Sequence, residues 1–295
     1  MAPLADSVAD SALPLALLES RFASSLVALR DGAVMVRSAG SVGHAPPVVL
    51  LHGIGSGAAS WLHCALALSE AGQVIAWDAP GYGASSPLAA AQPRASDYAQ
   101  RLHELLAALG VDRCVLVGHS LGALMAAAFA QGIGRAMTRQ LVMISPARGY
   151  GAPDQAHVRE RVRATRLAAL HEQGVEGIAR SAPARMLSQH ADGAARAWVR
   201  WNAARLNPAG YAQAVHMLCN DSIERHAPSQ VPVEVHVGSD DIVTPPDACR
   251  RVAQSFNAPF DLIEGAGHAS PVERPDAVAR TIARAAMLTR EGEGA

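Results

Sequence analysis

Gly118-His119-Ser120-Leu121-Gly122 sets a hydroxyl between two glycines, directly after the apolar run Cys114–Val117 and directly before an Ala/Leu/Met-rich stretch. A strand that turns sharply into a helix lifts such a serine above a sheet edge, where a base reaches it from one side and a substrate from another. Gly118 and Gly122 suit a turn in which neighbouring backbones approach too closely for a Cβ, and the helix start beneath the serine adds positive potential for an oxyanion. A serine is a poor nucleophile until a base takes its proton, and the common base is an imidazole held in one tautomer by a carboxylate. In a parallel sheet both partners come from loops at the carboxyl ends of later strands.

Two later segments meet that requirement. Val233–Val237 runs into Gly238-Ser239-Asp240-Asp241-Ile242-Val243-Thr244-Pro245, and Phe260–Ile263 runs into Gly265-Ala266-Gly267-His268. His268 follows Gly-Ala-Gly, which offers no apolar wall for a packed core histidine, so it is the candidate base. Asp240 and Asp241 are both candidate acids, and either residue type also stabilises turns or caps helices. Ser145-Pro146-Ala147-Arg148, after the run ending at Ile144, offers no carboxylate. The other eleven of the 12 histidines show no paired arrangement. Two backbone N–H groups must hold the oxyanion, each worth about 3 kcal/mol in the transition state. Leu121, after the nucleophile, and Ile54, in the loop His52-Gly53-Ile54-Gly55, are the candidates.

The elements that must position these groups are legible from periodicity. Residues 24–38 read as a hairpin around Asp31-Gly32. Short apolar runs then alternate with helical stretches, the pattern of a parallel sheet covered on both faces: Val48–Leu51, Val74–Asp78, Cys114–Val117, Leu141–Ile144, Val233–Val237 and Phe260–Ile263. The expected fold is therefore α/β, with a mostly parallel central sheet, an antiparallel N-terminal hairpin and helices on both faces. Between Ile144 and Val233 no buried strand is expected; Gln155–Gln173, Ala194–Leu206 and Tyr211–Leu218 read as helices of an α-helical cap. This divides the chain into a core, 1–147 and 227–295, and a cap, 148–226. The last residues, 291–295, are expected to fray.

Composition narrows the classes. Half of the 295 residues are apolar and 17% are charged, a globular composition. A net charge of −1 gives no general attraction to nucleic acid or anionic membrane. Cys64, Cys114, Cys219 and Cys249 are far apart and lack metal-ligand or CxxC spacing. Asp6 and Asp10 precede the apolar patch Leu13–Leu18, unlike a cationic leader, and no run reaches the ~18 apolar residues of a membrane span. A soluble cytoplasmic protein without a metal, nucleic-acid partner or membrane partner is expected.

Taken with Asp78-Ala79-Pro80-Gly81-Tyr82-Gly83-Ala84-Ser85, which looks like a D-x-P-G-x-G-x-S segment, and with Thr244-Pro245 closing the acid loop, the chain resembles the α/β-hydrolase superfamily. The resemblance covers roughly residues 24 to 290 apart from the cap. It favours Asp241 over Asp240 as the acid and implies a catalytic triad of Ser120, Asp241 and His268, no cofactor, and a small-molecule ester or lactone as substrate. The arrangement looks like esterases, enol-lactonases and C–C bond hydrolases of aromatic degradation. Ala269-Ser270-Pro271 stands where the C–C hydrolases often carry Trp, and Ser120 departs from the aspartate nucleophile of haloalkane dehalogenases and epoxide hydrolases.

Two other classes remain open at this level. Gly53-x-Gly55-x-x-Ala58 with Asp78 has features of a dinucleotide fingerprint and would suit a nicotinamide-dependent oxidoreductase, but it leaves Ser120, Asp241 and His268 unexplained. A non-catalytic binding protein on the same fold is disfavoured by the intact triad. The cap carries eleven Arg against seven Asp and Glu. That excess suits an anionic substrate, although most of Arg159, Arg161, Arg163 and Arg166 are expected on a solvated helix face. Trp198, Trp201, Met186 and Met217 are candidate walls of an apolar pocket, or else packing between cap and sheet.

Overall fold

The computed structural model describes residues 14–43 and 45–291, apart from the side chains of 288–291. The leader reading at Asp6 and Asp10, and the frayed end beyond Glu291, lie outside the described residues. The strands are β1 (Ser24–Leu29), β2 (Gly32–Ala39), β3 (Val48–Leu51), β4 (Val74–Trp77), β5 (Cys114–His119), β6 (Thr138–Ile144), β7 (Val233–Gly238) and β8 (Phe260–Ile263). Among the described residues they form one eight-stranded sheet in the order β1-β2-β4-β3-β5-β6-β7-β8. β1 and β2 pair antiparallel, β2 joins β4 antiparallel, and every later pairing is parallel.

Side chains alternate across a strand, so the apolar runs feed two cores. Val49 and Leu51 of β3 and Leu116 of β5 pack with helices α3 (Ala95–Ala108), α4 (Leu121–Gln131) and α8 (Pro246–Phe256). Val48, Leu50, Val115 and Val117 pack on the opposite face with α1 (Leu15–Arg21), α2 (Leu62–Ser69) and α10 (Pro275–Glu291). β8 differs from the expected buried run: Asp261 and Leu262 are exposed, because β8 is the last strand of the sheet.

Between β6 and β7 lie α5 (Ala156–Met186), α6 (Gly193–Ala203) and α7 (Pro208–Asn220); α9 (Ser270–Glu273) follows β8. Gly174 interrupts α5 at φ 63°, directly after the expected helix end at Gln173, and a second half then continues to Met186. α7 starts earlier than expected because the Asn207 side chain accepts from the Ala209 and Gly210 amides, with Pro208 opening the helix. Leu218, Met217 and Val215 of α7 share a core with the sheet, whereas Ala179, Ala182, Val199 and Ala203 of α5 and α6 form a small core of their own with Leu187 and Ala269.

The junction that matters most is β5 into α4. Ser120 stands between them at φ 53° and ψ −116°. Its N–H donates to the Ile144 carbonyl (3.0 Å), and its own carbonyl accepts from the Ala123 and Ala147 amides (3.0 and 3.1 Å). A Cβ on Gly122 would lie 2.3 Å from the Leu51 carbonyl oxygen, and one on Gly118 would lie 2.5 Å from Ala123 Cα. Helix α4 thus rests backbone to backbone on the end of β3. Gly122→Ala should lower stability by about 1–3 kcal/mol, the usual range for overpacking, measured as a lower urea midpoint; an unchanged midpoint would show that β3 and α4 separate freely.

Candidate active site

The loops that follow β5, β7 and β8 bring three distant side chains together. His268 Nε2 lies 3.0 Å from Ser120 Oγ, and His268 Nδ1 lies 2.9 Å from Asp241 Oδ2. Ser120, Asp241 and His268 are all buried. A carboxylate only accepts, so the proton sits on Nδ1 and the Nε2 lone pair faces the serine hydroxyl. Asp240 is exposed and engages Ser239, so of the two adjacent aspartates Asp241 faces the imidazole.

Asp241 is held from several directions. The Val243 and Thr244 amides donate to Oδ1 (2.8 and 2.9 Å), and the Thr244 hydroxyl donates to Oδ2 (2.9 Å). Burial alone would raise its pKa; the hydrogen bond and charge of His268, with the Thr244 amide, outweigh it and hold Asp241 at about 2. Thr244 thus orients the acid directly. Within the sequence it is legible only as part of a Thr-Pro pair.

The oxyanion candidates Ile54 and Leu121 both border the cavity that contains Ser120. Neither amide meets a protein acceptor among the described residues. His52 fixes the first of them. Its Nε2 accepts from the Ala79 amide (3.0 Å), so Nδ1 carries the proton and donates to the Gly53 carbonyl (2.8 Å). In the trans peptide Gly53–Ile54 the N–H points opposite to that carbonyl. The Tyr82 hydroxyl holds the next carbonyl, that of Ile54 (2.9 Å), and Asp78 Oδ1 accepts from the Ala58 amide (2.7 Å). Asp78 and Tyr82 of the D-x-P-G-x-G-x-S segment therefore brace the loop that carries the candidate donor Ile54.

Histidines expected to have no paired arrangement do have one. The His119 ring lies 4.9 Å from the His268 ring, and its Nε2 donates to the His268 carbonyl (2.8 Å). Glu273 is a further residue that the sequence does not single out. Its buried carboxylate accepts from the Gly267 amide (2.8 Å), the Ser188 amide (3.0 Å) and the Ser188 hydroxyl, tying the His268 loop to the end of α5.

The cavity has a volume of about 500 Å³ and is bordered by Ser120, His268 and residues of α5 and α7. Of the four expected pocket residues Met186 borders it; Trp198, Trp201 and Met217 do not. Trp198 stacks on Trp201 with ring centroids 4.5 Å apart, Arg205 covers the Trp201 face, and Met217 is fully buried in the sheet core. All three serve packing. Among the described residues no cluster of three or more His, Cys, Asp and Glu is placed to hold a metal ion, and no helix is long and apolar enough to cross a membrane.

Burial, with repulsion from His268 added, pushes His119 down to about 3. Unfolding returns it to an ordinary value of about 6.5, so the unfolded chain takes up a proton there that the folded chain refuses. This contribution to stability is complete above that value and is lost as pH falls, at ~1.4 kcal/mol per pH unit. His119→Asn should therefore flatten the slope of unfolding free energy between pH 6 and 4 by about one proton; an unaltered slope would mean that His119 protonates within the fold.

Comparison with known proteins agrees with this architecture. The model of the alpha/beta hydrolase family matches residues 48–281. A putative carbamate hydrolase, RutD, of Escherichia coli O6:H1 is 29% identical over 218 residues, 70% of this chain and 74% of that protein. Among solved structures, the enol-lactonase of Burkholderia xenovorans LB400 superposes with a TM-score of 0.78 at 22% identity, covering 88% of this chain and 98% of that one. A thermophilic esterase from Thermogutta terrifontis gives a TM-score of 0.77 at 23% identity, covering 90% and 98%. The chain is an enzyme of the α/β-hydrolase family.

Proposed function

We propose that this enzyme is a serine hydrolase that cleaves a small carboxylic ester or lactone through an acyl-enzyme intermediate. The observation that carries this reading is the relay Ser120 Oγ to His268 Nε2, 3.0 Å, and His268 Nδ1 to Asp241, 2.9 Å, at the wall of a cavity. His268 takes the Ser120 proton as Oγ attacks the carbonyl carbon. The negative charge that develops on the carbonyl oxygen is held by the Ile54 and Leu121 amides, which are free to donate. Collapse of the tetrahedral species expels the alkoxide, which receives the proton from His268. Water, deprotonated by the same imidazole, then attacks the acyl-enzyme and releases the acid and Ser120. Asp241 stays ionised throughout and stabilises the imidazolium.

Residues 148–226 act in this reading as a cap that supplies much of the cavity wall, over a core of 1–147 and 227–295. The described cysteines are all free and buried, in keeping with a reducing cytoplasm. The carbonyl of a carbamate, the group in the name of the E. coli relative, reacts by the same acyl chemistry.

Two measurements test the reaction. Ser120→Ala and His268→Ala should each lower kcat by on the order of 10⁶, with little further loss in the double variant, because the residues act as one unit. A fluorophosphonate should label Ser120, and turnover retained by Ser120→Ala would exclude the nucleophile. Activity should also fall as pH drops, since only a neutral imidazole accepts the serine proton. Asp241, held at about 2, keeps its charge across that range. The acid limb of log kcat/KM should therefore have unit slope, one proton and no more; a slope of two would place a second titrating group in the relay.

A further inference from the structure

Most arginines between β6 and β7 are accounted for. Arg148, Arg163, Arg200 and Arg225 pair with carboxylates, Arg196 donates to backbone carbonyls, and Arg205 covers Trp201. Arg161 and Arg180 are exposed to solvent. Arg166 and Arg185, on the two halves of α5 on either side of Gly174, differ in where they stand, although Arg185 also reaches solvent. Both border the cavity that holds Ser120 and His268. Arg166, one of the four arginines of which most were expected on a solvated face, is half-buried there. Its Nη1 donates to the Tyr211 hydroxyl (3.3 Å), and among the described residues neither guanidinium has a carboxylate partner. Arg185 makes no hydrogen bond among the described residues.

Two cations facing one cavity without a counter-ion are unfavourable. Burial and the repulsion of Arg166 both lower the Arg185 pKa from its ordinary value. The cavity's own acids do not neutralise them: Glu224 is taken by Arg148 and by the Ser222 hydroxyl, and Asp154 is exposed. Each guanidinium presents five N–H donors in a planar fork that fits a carboxylate. Arg166 uses one of these on Tyr211, so the pair retains enough donors to grip an anion from two sides.

We infer that Arg166 and Arg185 form an anion subsite of the cavity, and that the substrate is an ester or lactone bearing a second, ionised carboxylate. The reaction named here rests on the serine-hydrolase reading; the anion site rests on the two guanidiniums alone. The ionised group would be gripped at α5 while the carbonyl lies at Ser120, which converts charge recognition into placement of the scissile bond.

The test compares mono-p-nitrophenyl esters of succinic, glutaric and adipic acids with chain-matched neutral p-nitrophenyl esters. At the chain length that spans the cavity, kcat/KM should favour the anionic ester. Arg166→Gln and Arg185→Gln should each lower that anionic-to-neutral ratio by about 10- to 100-fold, chiefly through KM, as expected for lost charge-assisted hydrogen bonds. Arg185→Lys should retain part of the preference, and Arg161→Gln, in solvent, all of it. No preference at any chain length, or a ratio indifferent to both Gln variants, would overturn the subsite while leaving the hydrolase intact. Calorimetry with free succinate, glutarate and adipate on Ser120→Ala reads the subsite without turnover. One-to-one binding abolished by the added Arg166→Gln/Arg185→Gln pair supports it even if no ester is cleaved, whereas absence of binding by all three diacids overturns it.

Discussion

The close approach of α4 to β3 is the constraint from which the rest of the molecule follows. With no Cβ on Gly118 or Gly122, the first turn of α4 can settle onto the Leu51 and His52 carbonyls. That contact forces the chain to reverse within one residue, and Ser120 absorbs the reversal at φ 53°. A non-glycine residue in such a region costs about 1–3 kcal/mol and persists only where its surroundings over-determine it. Here they do, through the three backbone hydrogen bonds of Ser120 to Ile144, Ala123 and Ala147. The same approach leaves Leu121, the first residue of α4, and Ile54, in the loop after β3, on the wall of one cavity.

Around this turn the charge distribution is spare. Asp241 is the one carboxylate in contact with the His268 imidazole among the described residues, and its own hydrogen bonds keep it ionised despite burial. The flanking rings of His52 and His119 are pushed by burial toward their neutral forms, so they work as dipoles: one fixes the Gly53 carbonyl, the other the His268 carbonyl. In the proposed reaction, neutral supports of this kind would position the groups without competing for the charge that forms on His268 as it takes the proton. A cation at position 119 would oppose that charge from 4.9 Å away.

The sheet was legible because short runs that are wholly apolar, as at Val48–Leu51, Cys114–Val117 and Leu141–Ile144, or mainly so, as at Val233–Val237 and Phe260–Ile263, have few other structural solutions when turns bound them. Ser120, Asp241 and His268 were legible as candidates because each follows such a run, so strand order alone placed them at one end of the sheet. The supports were not. Glu273 and His119 act through contacts with segments 85 and 149 residues away, and nothing in their local sequence marks them. The pocket was read least well for a related reason. Trp198, Trp201 and Met217 lie on helices whose rotation depends on tertiary packing, and an apolar side chain satisfies a core as readily as a cavity wall. Arg166 could not be set apart from its neighbours because Arg159, Arg163 and Arg166, at i, i+4 and i+7, share one face of α5, and a charged stripe reads alike whether it meets water or a polar cavity.

The wall of the cavity and the proposed base, His268, are mechanically joined. The end of α5 carries Arg185 and Met186; two residues on, Ser188 donates to Glu273, which also receives the Gly267 amide adjacent to His268. The Ala269 amide, on the other side of His268, donates to the Met186 carbonyl (2.6 Å). The base is therefore clasped on both sides by the helix terminus that borders the substrate cavity. Displacing that terminus would move the imidazole with respect to Ser120, whose own position is fixed independently by β5 and α4. Packing of the end of α5 against Val199 and Ala203 thereby also bears on the Nε2–Oγ distance on which the proposed proton transfer depends. The cavity wall and the His268 loop thus share one structural element, while Ser120 is anchored in another, so in the proposed reaction the relay needs the two in register.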